Sequence, residues 1–243
     1  MGIKSLIFGN KEKVLYFSGC EDGDEKVDEN YKEIMARLGI KYEFIEELPS
    51  CGFLDYELGD RKRAKELAEG MNNLFLENSI TKIITSSALC YHMFRNIYPK
   101  LLREWNILVE HISVSILAGL RRKRIFYSST DSFVSVVYHD SCYLSRHCGI
   151  YNEPREVIKF LGGNIFEFRK NKENSVSCGV GGGLLENFPE TANKLARNLI
   201  SSSPEKDLQI ISACSSCSSH LKSSSENSLD FSSFVLGRLR GLQ

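Results

Sequence analysis

The chain has 243 residues, 42% hydrophobic and 26% charged, a composition typical of globular proteins that excludes a disordered or collagen-like chain. Its 31 Lys and Arg balance 31 Asp and Glu, so no net charge draws the whole surface to nucleic acid or anionic lipid. The amino terminus lacks the apolar region of a signal peptide, and charges interrupt every apolar run before the ~18 residues of a membrane span, so we expect a cytoplasmic protein.

The hydrophobic pattern of the first half predicts alternating strands and helices. In chain order these are a strand at 14–17, a helix at 31–38, a strand at 42–45, a helix at 61–76 and a strand at 82–85. The first helix has apolar residues at helical spacing and stops at Gly39. Such alternation indicates a parallel sheet with crossover helices, which is an α/β fold.

The second half predicts the same order of elements. They are a strand at 134–138, a helix at 154–161, a strand at 165–168, a helix at 189–200 and a strand at 208–212. Pro154 and Pro189 suit the first turns of the two helices, where a missing N–H costs nothing. We therefore expect two pseudo-symmetric repeats, each a small parallel sheet flanked by helices.

A basic run at 121–124, followed by polar residues at 128–132, separates the halves. Because the chain has no net charge, we interpret this run as a solvated linker rather than a contact for nucleic acid. We therefore place a first cysteine-rich domain at 1–125 and a second at 126–243.

The two halves repeat each other at their cysteines. The triplet Ser-Cys-Gly occurs at 50–52 and again, 127 residues later, at 177–179. The run 83–90 aligns without gaps with the run 210–217 by the same offset. Seven of the eight cysteines lie in aligned runs, namely Cys20, Cys51 and Cys90 in the first half and Cys142, Cys178, Cys214 and Cys217 in the second. Such a repeat predicts two sites of common origin.

In both halves the cysteines follow predicted strands. The carboxyl ends of parallel strands meet at one edge of a sheet, so these thiols can converge. In a reducing compartment they indicate metal binding or redox chemistry rather than disulfides. Cys214 and Cys217 have the C-x-x-C spacing that lets two thiolates reach one metal. A thioredoxin-like pair is the alternative, but it leaves Cys142 and Cys178 unexplained.

A glycine-rich loop follows Cys178. Gly179, Gly181 and Gly182 would let the backbone approach a cofactor closely, so we count them as cofactor-binding candidates. A simple turn before the next helix would explain them equally well. The loop has neither the dinucleotide-binding fingerprint nor a Walker lysine, so nucleotide binding is disfavoured.

Polar residues lie close to the cysteines in sequence. His139 and Asp140 precede Cys142, where they either tune a cofactor and shuttle a proton or are merely hydrogen-bonded within the fold. Cys148 has no partner in the repeat and is expected to be a small buried group. Arg146 and Arg155 could contact an anionic substrate or partner, but they are expected to lie solvated on the surface. His92, His111, His147 and His220 are likewise expected to be structural.

The run 139–155 (HDSCYLSRHCGIYNEPR), with Cys178 before its glycines and the Cys214/Cys217 pair, resembles a known motif. It is similar to the second repeat of the CCG-domain (cysteine-rich domain) proteins. These include the B subunit of heterodisulfide reductase and the iron-sulfur subunits of lactate, glycolate and glycerol-3-phosphate oxidoreductases. The family's full motif is a lone Cys, a Cys-Cys-Gly and a Cys-x-x-Cys, usually present twice.

The resemblance implies an iron-sulfur electron-transfer subunit of an oxidoreductase complex, like the B subunit of heterodisulfide reductase. Its partners would be a flavoprotein, a ferredoxin-like iron-sulfur protein or both. Nucleic acid is not an expected partner, and any membrane attachment would be peripheral, through the complex. The implied cofactor is an iron-sulfur cluster, of 4Fe-4S type, in the second repeat.

The sequence also departs from the family motif. Ser50 and Ser177 replace the first cysteine of each Cys-Cys-Gly, and Ser87 replaces the first cysteine of one Cys-x-x-Cys. A serine hydroxyl is a poor substitute for a bridging thiolate. The first repeat could therefore be empty, hold a second cluster with an open iron, or use a non-protein ligand. Two alternatives remain: a disulfide reductase with a catalytic 4Fe-4S cluster, and a scaffold subunit that binds structural zinc.

Overall fold

Two parallel sheets, one in each half of the chain, carry the fold. The computed structural model describes residues 12–19, 25–45, 48–123, 125 and 133–240. Cys20 lies outside these residues, and so does the stretch just after the predicted domain boundary, which stays a prediction. The expected α/β fold of two pseudo-symmetric repeats is confirmed.

The first half alternates strands and helices. Its elements are β1 (Val14–Phe17), α1 (Glu25–Leu38), α2 (Phe53–Glu57), α3 (Arg61–Glu77), β2 (Lys82–Thr85), α4 (Ala88–His92), a π-helical turn (Met93–Ile97), α5 (Tyr98–Leu101), β3 (Leu108–His111) and α6 (Ile112–Lys123). α1 starts six residues earlier than predicted, and β1 and β2 coincide with the predicted strands.

The second half repeats this plan. Its elements are β4 (Val134–Tyr138), a π-helical turn (Tyr143–His147), α7 (Asn152–Phe160), β5 (Gly163–Glu167), a 3-10 turn (Lys172–Asn174), α8 (Leu184–Asn187), α9 (Pro189–Ser201), β6 (Ile210–Ser212), α10 (Ser215–Lys222), β7 (Ser228–Asp230) and α11 (Phe231–Arg240). Pro189 is the first residue of α9, as predicted from its missing N–H.

The two sheets have matching strand orders. The second sheet runs β5-β4-β6-β7, and the first runs β1-β2-β3, with every pair parallel. The strand predicted at 42–45 is wrong: that segment forms only a bridge between Leu15 and Glu43, on the outer side of β1. At a sheet edge it pairs on one side alone, so few hydrogen bonds hold it. With the bridge included, both halves have the order 2-1-3-4.

The first three residues of the basic run do not form a linker. The last turn of α6 contains Arg121, Arg122 and Lys123. Positive side chains at the carboxyl end of a helix are stabilised by the negative end of its dipole. Arg122 donates to the Leu38 carbonyl oxygen (2.8 Å), and Arg121 forms an ion pair with Glu156 of the second half. The prediction therefore failed because tertiary contacts hold these residues in the helix.

Helices join the halves. α1 packs against α11, and α7 packs in the equivalent way against α6. Two ion pairs repeat this relation, Arg240 with Glu33 and Arg121 with Glu156. The two pairs occupy equivalent places in the repeat, so the pseudo-symmetry extends to side chains. Among the described helices, none combines the length and hydropathy needed to cross a membrane.

Candidate metal centre

The cysteines of the second half lie at the point of its sheet where the connections after neighbouring strands run in opposite directions. In the order β5-β4-β6-β7, the loops after β4 and β6 diverge, and such a switch point is where α/β sheets bind ligands. Cys142 follows β4, Cys178 follows β5, and Cys214 follows β6. Cys217 lies in the first turn of α10. All four side chains are buried, so the fold brings together the thiols that the sequence singled out.

The thiols are close enough to share a cation. The Sγ atoms of Cys178 and Cys217 lie 3.0 Å apart. His139, at the end of β4, joins them: one ligand atom from each of these three residues lies within 4.8 Å of the others. Soft thiolates with an imidazole suit iron-sulfur clusters and zinc.

The acidity of the thiols reflects this crowding. The contact with Cys217 lowers the pKa of Cys178, and the neighbouring His139 and the Val180 N–H lower it further against the opposing effect of burial. The same contact raises the pKa of Cys217, while Cys217 lowers the pKa of Cys214. The set thus includes thiols that favour the anionic form, the form that binds metal.

Cys142 lies close enough to two of these thiols for their charges to affect it. Burial raises its pKa to about 11, and the nearby Cys178 and Cys214 contribute to the rise. Ser177 forms a hydrogen bond to the Cys142 thiol, and its Oγ also accepts one from the Gly179 N–H (3.3 Å). Ser177, at a cysteine position of the motif, therefore acts as a hydrogen-bonding residue of the loop.

The glycines of the loop are required by packing. Gly179 has a φ of +103°, and a Cβ there would lie 2.7 Å from the Ala192 carbonyl oxygen of α9. A Cβ at Gly181 would lie 2.4 Å from the Tyr143 ring, and Gly182 has a φ of +72°. These contacts explain the glycines without a ligand. Their role in binding a cofactor stays a prediction.

Arg155 is buried, so the expectation that it lies solvated on the surface is wrong. Its guanidinium binds both oxygens of Asp140 (2.8 and 2.6 Å) and both oxygens of Glu167 (2.7 and 2.8 Å). Asp140 also accepts from the Lys172 N–H (2.7 Å). Two carboxylates satisfy the planar donor fork of arginine, which makes its burial tolerable. The network fixes the segment between His139 and Cys142.

The first half brings two of its cysteines together. The Sγ atoms of Cys51 and Cys90 are buried and lie 3.1 Å apart. The Ser87 Oγ accepts from the Cys90 N–H (3.2 Å), and the Ser50 Oγ accepts from the Gly52 N–H (3.1 Å). Both serines that replace cysteines thus serve as local caps. The described part of this half therefore offers two thiols where the second half offers four.

Other residues near the site were not found from the sequence. Tyr143, directly after Cys142, stacks on His147 (4.9 Å between ring centroids) and donates to Glu57 of the first half (2.8 Å). No pattern in the sequence signals a contact between halves. Cys148 is half-buried, 3.9 Å from the His92 Nδ1, and burial raises its pKa to about 12, in keeping with a structural group.

Comparison with known proteins identifies the family. The model described as "CCG: Cysteine-rich domain" matches residues 14–95 and 136–222, well over half of the chain. The EtfAB:quinone oxidoreductase of Syntrophomonas wolfei subsp. wolfei is 31% identical over 180 residues, which cover 72% of this chain and 25% of that protein. The probable iron-sulfur-binding oxidoreductase FadF of Bacillus subtilis is 27% identical, with 77% and 27% covered.

A third relative aligns with more of the chain. The D subunit of the dihydromethanophenazine:CoB–CoM heterodisulfide reductase of Methanosarcina barkeri is 28% identical, with 87% of this chain and 54% of that protein covered. The chain thus spans between a quarter and about half the length of these curated relatives. The match of the family model to both halves confirms the resemblance seen in the cysteine motifs, and the chain belongs to the CCG cysteine-rich domain family.

Proposed function

We propose that the chain is an iron-sulfur electron-transfer subunit of an oxidoreductase complex. The observation that carries this proposal is the convergence of four buried thiols, those of Cys142, Cys178, Cys214 and Cys217, at the switch point of the second sheet. Four thiolates are enough to hold a 4Fe-4S cluster. The bound cluster would supply one-electron transfer, and the protein would hold and tune it.

The residues around the thiols fit such a cluster. Backbone N–H groups of Val180 and Cys217 interact with the sulfurs of Cys178 and Cys214. Hydrogen bonds to sulfur and exclusion of solvent are the main means by which a protein sets a cluster's potential. The glycines of the 178–183 loop allow its backbone to lie this close, and we propose that Gly179, Gly181 and Gly182 line the cofactor.

Relatives support iron-sulfur chemistry over a zinc scaffold. FadF is named as iron-sulfur-binding, and all three of these relatives are named as oxidoreductases or as part of a reductase. The heterodisulfide reductase relative is the D subunit of its complex, so the finer likeness to the B subunit remains a proposal. We propose a flavoprotein or a ferredoxin-like protein as the electron partner, because a single-electron carrier needs a second redox centre.

A disulfide reductase is the weaker candidate. In the family, the complete five-cysteine set is associated with the cluster that attacks a disulfide, and Ser50 and Ser177 interrupt that set in both halves. Their hydroxyls accept backbone hydrogen bonds from Gly52 and Gly179. We therefore assign one cluster, in the second half, and propose that the described thiols of the first half, Cys51 and Cys90, need Cys20 and a further donor to hold another.

Anaerobic purification of the full chain tests the proposal. We expect a brown protein with roughly four iron and four sulfide per chain and no stoichiometric zinc. Cys178→Ala should lose the iron, whereas Cys148→Ala, a cysteine outside the group, should keep it. A colourless preparation with one zinc per chain would establish the scaffold instead, and turnover of a disulfide by the purified chain with its reductant would restore the reductase.

A further inference from the structure

His139 is an unusual buried histidine. Its side chain is 1% exposed at the carboxyl end of β4, and its Nε2 has no hydrogen-bond partner among the described residues. A buried polar atom left without a partner costs about 1–3 kcal/mol, so such an atom calls for a ligand. The ring packs edge-on against Phe168 (6.2 Å between centroids, 86° between planes).

The surroundings of His139 point to a metal. Within the described part of the chain, it belongs to the one group of three metal-ligating residues, with Cys178 and Cys217. A ring nitrogen of His139 lies no more than 4.8 Å from each of these two sulfurs. It therefore stands beside the space that a cofactor held by the thiols would fill.

Other buried histidines show what a structural role looks like. The Nε2 of His220 lies 3.3 Å from the Ala192 carbonyl oxygen. The Nε2 of His111 is also without a partner among the described residues, but its Nδ1 contacts the Ser113 hydroxyl (2.8 Å), and it belongs to no described cysteine group. His139 alone combines an unpartnered nitrogen with two neighbouring thiols in this part of the chain.

The repeat supplies an independent argument. The position equivalent to His139 in the first half is Phe17, which packs edge-on against Phe94 (5.0 Å). The imidazole is therefore present in the half that has four thiols and absent from the half in which the described thiols number two. In the same half, Ser177 stands where the family motif has a further cysteine, and its hydroxyl is already used by Gly179 and Cys142.

We infer that His139 is a direct ligand of the cluster, through Nε2, and supplies the donor that Ser177 does not. This inference rests on the proposed iron-sulfur function. An imidazole is neutral where a thiolate is negative, so it lowers the negative charge around the cluster. The cluster is then easier to reduce than one with thiolate ligands alone, as in iron-sulfur centres with histidine ligands.

Pulsed electron paramagnetic resonance tests the ligand directly. The holoprotein is prepared with ¹⁴N- or ¹⁵N-labelled histidine, and its paramagnetic state is examined for coupling to a bound imidazole nitrogen. We expect a histidine coupling that changes with the isotope and is lost in His139→Ala and His139→Cys. It should persist in His220→Ala, which removes a buried histidine of the same half that belongs to no group of candidate metal ligands among the described residues.

Two further measurements distinguish loss of a ligand from misfolding of the variant. His139→Cys supplies a thiolate at the same place, so it should retain iron and shift the midpoint potential downward. His139→Ala should lose iron to a chelator at least ~10-fold faster than the wild type, and His139→Cys should restore slow loss. A purified wild type without iron would contradict the proposed function. A cluster without histidine coupling, or with coupling that survives His139→Ala, would overturn this inference alone.

Discussion

The two cysteine sites have the same backbone fold around them and differ in their donor side chains. Each half has a pair of thiols in contact, Cys51 with Cys90 (3.1 Å) and Cys178 with Cys217 (3.0 Å), at equivalent places in the repeat. The second site adds two more thiols and an imidazole. In the first, the aligned residues of the described part are Ser87, where the second half has Cys214, and Phe17. The two halves therefore have the same fold although their sets of candidate donors differ.

The support around the sites differs in the same direction. In the second half, Arg155 clamps Asp140 and Glu167 in a buried network. The aligned residue of the first half is Lys32, which lies over the Phe44 ring (4.8 Å) and pairs with Asp28 on the surface (2.6 Å). A fixed loop is what a ligand set needs if its geometry is to be held before the cofactor binds. The half with the larger set of candidate donors is therefore also the half with a buried ion-pair network beside it.

The largest expected difference concerns cofactor retention. Cys217→Ala removes a sulfur from the four-thiol group, so we expect loss of essentially all iron and visible absorbance. Cys90→Ala, at the aligned position of the first half, should leave both near the wild-type level. Iron analysis and absorption spectra of anaerobic preparations measure this. Equal losses in the two variants would show that both halves hold clusters.

The second difference concerns the buried network. Arg155→Met leaves Asp140 buried without its cation, and removing one partner of a buried ion pair costs about 3–5 kcal/mol. Lys32→Met removes a partly exposed pair, and we expect a change within about 1 kcal/mol. Urea unfolding of both variants gives the two free energies of unfolding. Similar values would mean that the guanidinium contributes no more than a surface cation.

The same network shows what the sequence could not predict. The alignment of Lys32 with Arg155 is visible in the repeat. The partners of Arg155, however, are Asp140 and Glu167, which lie 15 and 12 residues away in sequence and contact it only in the folded protein. The repeat and the cysteine spacing, in contrast, are local patterns. They sufficed to predict two α/β halves, the loops after the strands and the four thiols that converge there.

Strand prediction followed the same rule. β1, β2 and β4 were predicted to the residue because they are buried runs of β-branched and aromatic side chains. β3 and β7 were missed because they contain few β-branched or aromatic side chains, only Val109 in β3 and none in β7. Such short strands are fixed by pairing with their neighbours rather than by their own composition.

His111, the last residue of β3, should make the stability of the fold depend on pH. Burial lowers the pKa of His111 to about 3, against 6.5 in an ordinary histidine. Below pH 6.5 the unfolded chain binds a proton that the folded chain refuses, so stability falls as the pH drops from 6.5 toward 3. The expected slope from this one group is up to ~1.4 kcal/mol per pH unit.

His111→Gln should remove this contribution, because glutamine does not titrate. The measurement is the free energy of unfolding of wild type and variant between about pH 7 and pH 4, with the difference between them isolating His111 from the carboxylates. A variant whose stability depends on pH as steeply as the wild type would assign the acid sensitivity elsewhere.

The smallest difference lies in the two glycine turns. Gly52 and Gly179 both have positive φ, +75° and +103°, and each approaches an alanine, Ala64 of α3 and Ala192 of α9. A Cβ at Gly52 would lie 3.3 Å from Ala64, whereas one at Gly179 would lie 2.7 Å from the Ala192 carbonyl oxygen. Backbone strain costs alanine about 1–2 kcal/mol at either position, and the closer backbone contact adds roughly 1 kcal/mol more at Gly179.

Gly179→Ala should therefore unfold at a lower temperature than Gly52→Ala, by roughly 2–4 °C for a chain of this length. The metal-free proteins must be compared, because a bound cluster stabilises the folded second half and would hide the difference. If the metal-free variants unfold together but Gly179→Ala alone weakens iron binding, the tight turn at Gly179 matters for placing the Cys178 sulfur rather than for the stability of the fold. If Gly52→Ala is the less stable, the turn of the first half is the stricter one despite its looser packing.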